Sequence, residues 1–262
     1  MTSIGIIGFG AIAQYVAREL ERGGLRAAVV LARPGREDAA RAAMQIEAVT
    51  DADALAERAD LVIDCAGHAG LAAHGPTLLG AGTRLVTLSL GALADEALVG
   101  ALEAAARRGG GVLQLASGAI GALDALAAAR VGGLDVVRYT GTKPPRGWAG
   151  SPAEEALDLG ALTQAEAHFT GTARAAALAY PKNANVAAAV ALTGRGFDAT
   201  EVRLIADPAA TQNTHRIEAE GAFGRLDVTI SGHALPDNPR SSALAAMSAV
   251  HAARRETEWM RL

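Results

Sequence analysis

The stretch Ile4-Gly5-Ile6-Ile7-Gly8-Phe9-Gly10-Ala11-Ile12-Ala13 decides how the chain begins. Ile4–Ile7 is a short apolar run of strand type, and Ala11–Arg22 has the composition and apolar spacing of a helix. Between them Gly8, Gly10 and Ala13 fall at the spacing G-x-G-x-x-A. Gly8 permits a tight turn, Gly10 lets a pyrophosphate approach the main chain, and Ala13 lets the helix pack close to the strand. The start of that helix offers unpaired N–H groups and a partial positive charge. Gly8, Gly10, Ala11, Ile12 and Ala13 are therefore candidate contacts to a dinucleotide.

Outward from this turn the rhythm repeats. Ala27–Leu31, Leu61–Cys65, Arg84–Leu88 and Val112–Leu115 read as buried strands. Asp51–Arg58, Ala69–Leu79 and Asp95–Arg108 read as helices, with Asp95 an N-cap and Gly109-Gly110-Gly111 a stop. Alternating strands and helices with near-continuous apolar strands predict a parallel sheet covered on both faces, over residues 1–118. The pattern changes after Gly118. A helix is expected over Ala119–Arg130, a strand over Asp135–Gly141 and helices over Ala173–Ala179 and Ala184–Leu192. Strands follow at Glu201–Ala206, Thr214–Ala219 and Phe223–Ser231. Half-exposed strands in series predict a second, α+β domain with a mixed or antiparallel sheet, over residues 119–239. The final amphipathic segment, within 240–262, is expected to pack back on the first domain.

The end of the second strand bears on which cofactor is taken. An acid there holds the ribose hydroxyls of NAD, but the run is Leu31-Ala32-Arg33-Pro34-Gly35-Arg36, with no acid before Glu37. Arg33 and Arg36 suit a 2′-phosphate, so NADP is expected alongside NAD. The carboxyl ends of later strands carry Cys65-Ala66-Gly67-His68 and Ser89-Leu90-Gly91-Ala92, and small residues suit a flat ring lying over backbone. Cys65, Ala66 and Gly67 join the candidate cofactor contacts; a lone cysteine with apolar neighbours is otherwise a small core residue.

Composition narrows the partners. Of 262 residues half are hydrophobic and 3% aromatic, and the formal charge is −4. A net acidic chain lacks the basic footprint of a nucleic-acid binder. One cysteine forms neither an internal disulfide nor a multi-cysteine zinc site, so no metal is expected. The N-terminus lacks a basic n-region, and glycine or charge interrupts each apolar run before membrane-spanning length. The expectation is a cytoplasmic protein.

Three clusters in the second half are richer in polar groups than folding demands: Tyr180–Val186, Thr211–Glu218 and Asp237–Ser242. Here the chain resembles the L-aspartate dehydrogenase family, through Gly8–Ala13, Cys65–His68, Ser117-Gly118-Ala119-Ile120, Lys143-Pro144-Pro145, Tyr180–Val186, Asn213-Thr214-His215, Glu220–Gly224 and Asn238–Leu244. The resemblance implies a pyridine-nucleotide enzyme that interconverts aspartate and oxaloacetate through iminosuccinate. It also implies a homodimer and a role in supplying iminosuccinate to NAD biosynthesis. By it, His215 stands at the active-site histidine, and Ala119 and Asn185 match nicotinamide-cofactor contacts. Arg33 is the departure that leaves the cofactor preference open.

Imidazole exchanges protons near neutral pH, so His215 either moves protons during amine oxidation or orients the substrate through one carboxylate. A dicarboxylate also needs cations or clustered N–H donors. Lys143, Lys182, Arg240 with Ser241 and Ser242, and the helix start at Asn185 are candidates. Two other readings stay open at this point: another two-domain reductase, of dihydrodipicolinate reductase or homoserine dehydrogenase type, and a non-catalytic dinucleotide sensor.

Overall fold

The structure, a computed structural model, describes residues 2–181, 184–236 and 238–260, the side chains of Pro239 and Arg240 excepted. The chain divides into two units, Met1–Ala116 with Ala245–Leu262, and Ser117–Leu244.

In the first unit the elements are β1 (Ile4–Ile7), α1 (Ala11–Arg22), β2 (Ala27–Leu31), α2 (Glu37–Met44), β3 (Glu47–Val49), α3 (Ala52–Ala56), β4 (Leu61–Asp64), α4 (His68–Gly80), β5 (Arg84–Thr87), α5 (Glu96–Gly109) and β6 (Val112–Leu115). The strands form one parallel sheet in the order β3-β2-β1-β4-β5-β6. That order reverses beside β1, so a crevice opens at the carboxyl ends of β1 and β4. Ile4, Ile6, Leu61 and Ile63 are fully buried, as strands covered on both faces require. α1 lays Ala13, Val16 and Leu20 on the sheet, spaced three and four residues apart. Asp95 caps α5 by accepting from the Ala97 and Leu98 amides, and Gly110 ends it in the left-handed region. The C-terminal helix Ala243–Arg255 supplies Ala249, Val250, Ala252 and Ala253 to the same core as Val16 and Leu20. Arg254 donates to the Glu19 carbonyl at 2.9 Å, and Arg84 pairs with Glu256 at 2.9 Å.

The second unit contains α6 (Leu123–Gly132), β7 (Leu134–Lys143), α7 (Ala153–Ala156), β8 (Glu166–Thr172), α8 (Ala173–Ala179), α9 (Asn185–Thr193), β9 (Glu201–Ala206), β10 (Asn213–Gly221), β11 (Gly224–Gly232), β12 (Ala234–Leu235) and β13 (Asn238–Ser242). The helix Ala243–Arg255 completes the series as α10. Five strands form a mixed sheet, β11-β10-β7-β9-β8, with only β7 and β9 parallel. Alternation buries Val137, Tyr139 and Gly141 of β7 with Val202, Leu204 and Ala206 of β9 and His215, Ile217 and Ala219 of β10. α8 and α9 pack on this sheet and on each other.

The architecture is the α/β class expected, with several elements displaced. α6 starts at Leu123 rather than Ala119, because Gly118 and Ala122 both take positive φ and break the run. α2, β3, α7, β8, β12 and β13 escape the sequence reading. β3 has three residues, too few for a period, and the pairing of β8 slips between Ala167 and Phe169.

Leu20 is fully enclosed where α1, the sheet and α10 meet. Leu20→Ala is expected to cost about 2–5 kcal/mol, read as a lower urea midpoint with unchanged slope.

Candidate active site

The first cluster lies at the carboxyl ends of the parallel strands. Gly8 turns with φ +87°, and a Cβ there would meet Ala66 and the Cys65 carbonyl at 3.5 Å, so the turn after β1 packs on the turn after β4. No side chain caps α1 at Gly10, and a Cβ added to Gly10 would meet nothing within 4 Å. An uncapped helix start facing open space fits the pyrophosphate of a dinucleotide. Arg33 and Arg36 are exposed in the turn after β2, and the Arg36 guanidinium lies 5.4 Å from the Phe9 ring centroid. Arg36 thus stands beside the glycine turn.

Asp64, which sequence reasoning passed over, secures the neighbouring loops. Its carboxylate accepts from the Thr87 and Ser89 hydroxyls at 2.8 and 2.7 Å and from the Ala66 amide at 3.0 Å. Burial nevertheless pushes its pKa above the usual carboxylate range. The signal was an acid ending an otherwise apolar strand. Cys65 next to it is a part-buried thiol whose pKa burial raises further, so it stays protonated. A hollow of about 590 Å³ near Arg26, Gln45 and Glu47 opens at the amino ends of β2 and β3, away from these turns.

The second cluster is built on the covered face of the mixed sheet. His215 of β10 sits opposite Gly141 of β7. Cross-strand partners share a face, so Tyr139 and Lys143, two residues either side of Gly141, flank the imidazole. The Tyr139 hydroxyl lies 2.8 Å from His215 Nδ1. A Cβ at Gly141 would come within 2.6 Å of that hydroxyl, so the missing side chain leaves the phenol its path. Burial raises the Tyr139 pKa and keeps the phenol protonated. Among the described residues the phenol bonds to nothing else by its side chain, so its O–H donates to Nδ1. The proton of the neutral imidazole then sits on Nε2. Burial first, then the Lys143 charge, lowers the His215 pKa to about 4.

A parallel arrangement lies on β8. His168 Nδ1 is 3.1 Å from the Tyr180 hydroxyl, and its buried Nε2 makes no hydrogen bond among the described residues. Its pKa is likewise lowered to about 4 by burial and by Lys143. Trp148 stands edge-on to His168 at 4.3 Å, with the Lys143 ammonium 4.7 Å from its ring centroid. Trp148 is fixed by donating Nε1–H to the Ile205 carbonyl at 2.9 Å. Burial brings the Lys143 pKa down to about 8. The period-two spacing Tyr139-Gly141-Lys143 could have shown half of this cluster beforehand.

Other expected residues lie elsewhere in this unit. Ala119 is buried in the turn after Gly118, and Asn185 is the first residue of α9. Ser241 and Ser242 belong to the hairpin β12–β13; the Asn238 amide donates to the Ser241 hydroxyl at 2.9 Å. The buried Ser242 hydroxyl has no partner among the described residues. Lys182, Asn183 and the side chain of Arg240 lie outside the described residues.

Residues 124–256 match the family model described as aspartate dehydrogenase, C-terminal, and residues 8–115 match that of the homoserine dehydrogenase NAD binding domain. The chain is 60% identical to an L-aspartate dehydrogenase of Ruegeria pomeroyi over 251 residues, 96% of this chain and 91% of that one. It is 47% identical to an L-aspartate dehydrogenase of Ralstonia nicotianae, covering 96% of each. The crystal structure of aspartate dehydrogenase from Thermotoga maritima shares the fold, with TM-score 0.78 at 22% identity, 100% of this chain and 99% of that one.

The buried imidazole carries a pH signature. His215 is 5% exposed, and its folded pKa of about 4 lies below the unfolded value. The unfolded chain therefore binds the extra proton between the two values, and stability falls as pH drops from about 6.5 toward 4. At pH 5 the loss is roughly 2 kcal/mol. Urea unfolding at pH 5 and 7 should show this component in the wild type and its absence in His215→Asn.

Proposed function

The chain belongs to the L-aspartate dehydrogenase family, and from that premise we propose that it oxidises L-aspartate to iminosuccinate, which water carries on to oxaloacetate and ammonia. The 60% identity along nearly the whole chain carries this reading. A bound NAD or NADP supplies the hydride acceptor for the C2–H bond. The residues suited to hold it are Gly8, Gly10, Ala11, Ile12 and Ala13 at the pyrophosphate, and Arg33 with Arg36 at a 2′-phosphate. Cys65, Ala66 and Gly67 in the neighbouring turn, with Ala119 and Asn185 by family likeness, complete the set. Homodimer assembly, cytoplasmic residence and a supply of iminosuccinate to NAD biosynthesis enter the reading by that likeness alone.

His215 had two roles open to it, proton exchange and orientation of the substrate. The Tyr139 bond and the depressed pKa favour the second. A neutral imidazole presents Nε2–H to a carboxylate or to the C2 carbonyl oxygen, holding the substrate and polarising it without giving up a proton. Asn185, Ser241, Ser242 and Lys182 complete the proposed contacts to the two carboxylates. The other two-domain reductases and the non-catalytic sensor gain no comparable support, since the likeness extends through the second unit.

The assay follows NADH or NADPH on adding oxaloacetate and ammonia, and consumption should require both. His215→Ala should lower kcat at least about 100-fold with dinucleotide affinity nearly unchanged by fluorescence titration; full turnover in that variant overturns the assignment. Replacing Arg33 and Arg36 together by Ala should raise the KM for NADP about tenfold and leave that for NAD nearly unchanged. Equal effects on both cofactors would remove the arginines from the 2′-phosphate.

A further inference from the structure

If the substrate's oxygens meet a neutral imidazole, another group must move the protons. Oxidising an amino acid at C2 begins with loss of an N–H proton from the ammonium, because only a neutral amine can release hydride from the adjacent carbon. The covered face of the mixed sheet offers one group in the right place. Lys143 stands at the carboxyl end of β7, two residues past the Gly141 gap that faces His215. Residues diagonal across an antiparallel pair lie about 7–8 Å apart, within reach of a lysine side chain. Trp148 supports the ammonium from one side and is itself held rigidly in the packed interior. His168 touches the same tryptophan. The lysine is thus set between two imidazoles, each engaged by a tyrosine hydroxyl through Nδ1.

We propose that Lys143 is a catalytic residue: its neutral amine takes the proton from the substrate's C2 ammonium, and it later exchanges protons as the imine passes through the carbinolamine to the ketone. This rests on the amino-acid dehydrogenase reading above. In the first step an N–H bond of the substrate breaks and a new one forms at Nζ, so one positive charge moves from substrate to lysine. With the dinucleotide bound, the oxidised nicotinamide would accept the C2 hydrogen with both bonding electrons as hydride, leaving the substrate as an iminium. Lys143 releases its first proton to solvent, takes one from the water that adds to C2, and returns it to the carbinolamine nitrogen; as the C–N bond breaks and the C=O bond forms, the hydroxyl proton passes to Lys143 and ammonia departs.

The surroundings suit this work. Among the described residues, the groups around Lys143 include His215 and Tyr139 from the paired strands, and Trp148, His168 and Tyr180. The imidazoles are neutral at working pH and both phenols keep their protons. Nearby Asp207 turns its carboxylate to the Ala209 amide, and Glu155 acts on Tyr180. Burial alone brings the lysine to about 8, where amine and ammonium are both populated near neutral pH. His215 and His168, near 4, exchange protons poorly there.

The test separates proton transfer from simple charge. Lys143→Arg keeps a cation but cannot act as a base near neutral pH. It should retain the aspartate KM within a few-fold and lose kcat about 100-fold or more. In the wild type, kcat/KM for aspartate oxidation should rise with pH to a plateau above about 8, and this limb should vanish in the variant. Lys143→Ala should regain turnover with added primary amines, faster with more basic ones. Independently of turnover, NMR titration of isotope-labelled lysines in the dinucleotide-free chain should show one resonance, absent from Lys143→Arg, with a midpoint near 8. Wild-type kcat and an unchanged pH limb in Lys143→Arg overturn the proposal and leave the dehydrogenase reading standing. A folded wild type inert toward aspartate with both cofactors overturns that reading and this proposal with it, whatever the lysine titration shows.

Discussion

One hydrogen bond sets the chemistry of the second unit: the Tyr139 hydroxyl on Nδ1 of His215, 2.8 Å long and closed off from water. It depends on register, since the imidazole must stand opposite Gly141 for the phenol to pass. A shift of one residue along β10 would turn His215 to the other face and bring Thr214 or Arg216 inward. The bond fixes which nitrogen carries the proton, and the low polarity around it keeps the ring uncharged. Orientation, tautomer and charge state therefore come from a single placement, made by strand pairing rather than by local sequence.

The first unit works by a different principle. Its glycine turn contributes main chain and empty space, and its polar side chains act as scaffolding. Asp64 illustrates this: a costly buried carboxylate is offset by three hydrogen bonds that hold the ends of β4 and β5 in place beside Gly8. The crevice is kept rigid by groups that need not touch what binds there.

Much of the first unit was legible because its signals are local. Ile4–Ile7, Gly8, Gly10 and Ala13 lie within ten residues, and each strand of the parallel sheet is a short apolar block. What escaped was short or irregular: β3, with three residues, and β8, broken at His168. Alanine misled at Ala119–Ala122, where helix-forming composition covers a turn of positive φ. In the second unit His215 was found through family likeness and the polarity of its neighbours. Lys143 was found only as a possible cation, and Tyr139, Trp148 and His168 were not found as its neighbours, because residues up to 76 positions from His215 meet only once β7, β8, β9 and β10 are paired. No window of sequence contains that information.

The first unit is assembled from two pieces of chain, with the whole second unit inserted between them. Ala249, Val250 and Ala253 of α10 close a core whose members outside α10 lie between Ile4 and Ala116 and are made long before it on the ribosome. The parallel sheet can form during synthesis, but its apolar flank stays bare until α10 emerges. For that interval the nascent protein presents a sticky surface. A chain cut before Ala245 would never cover it.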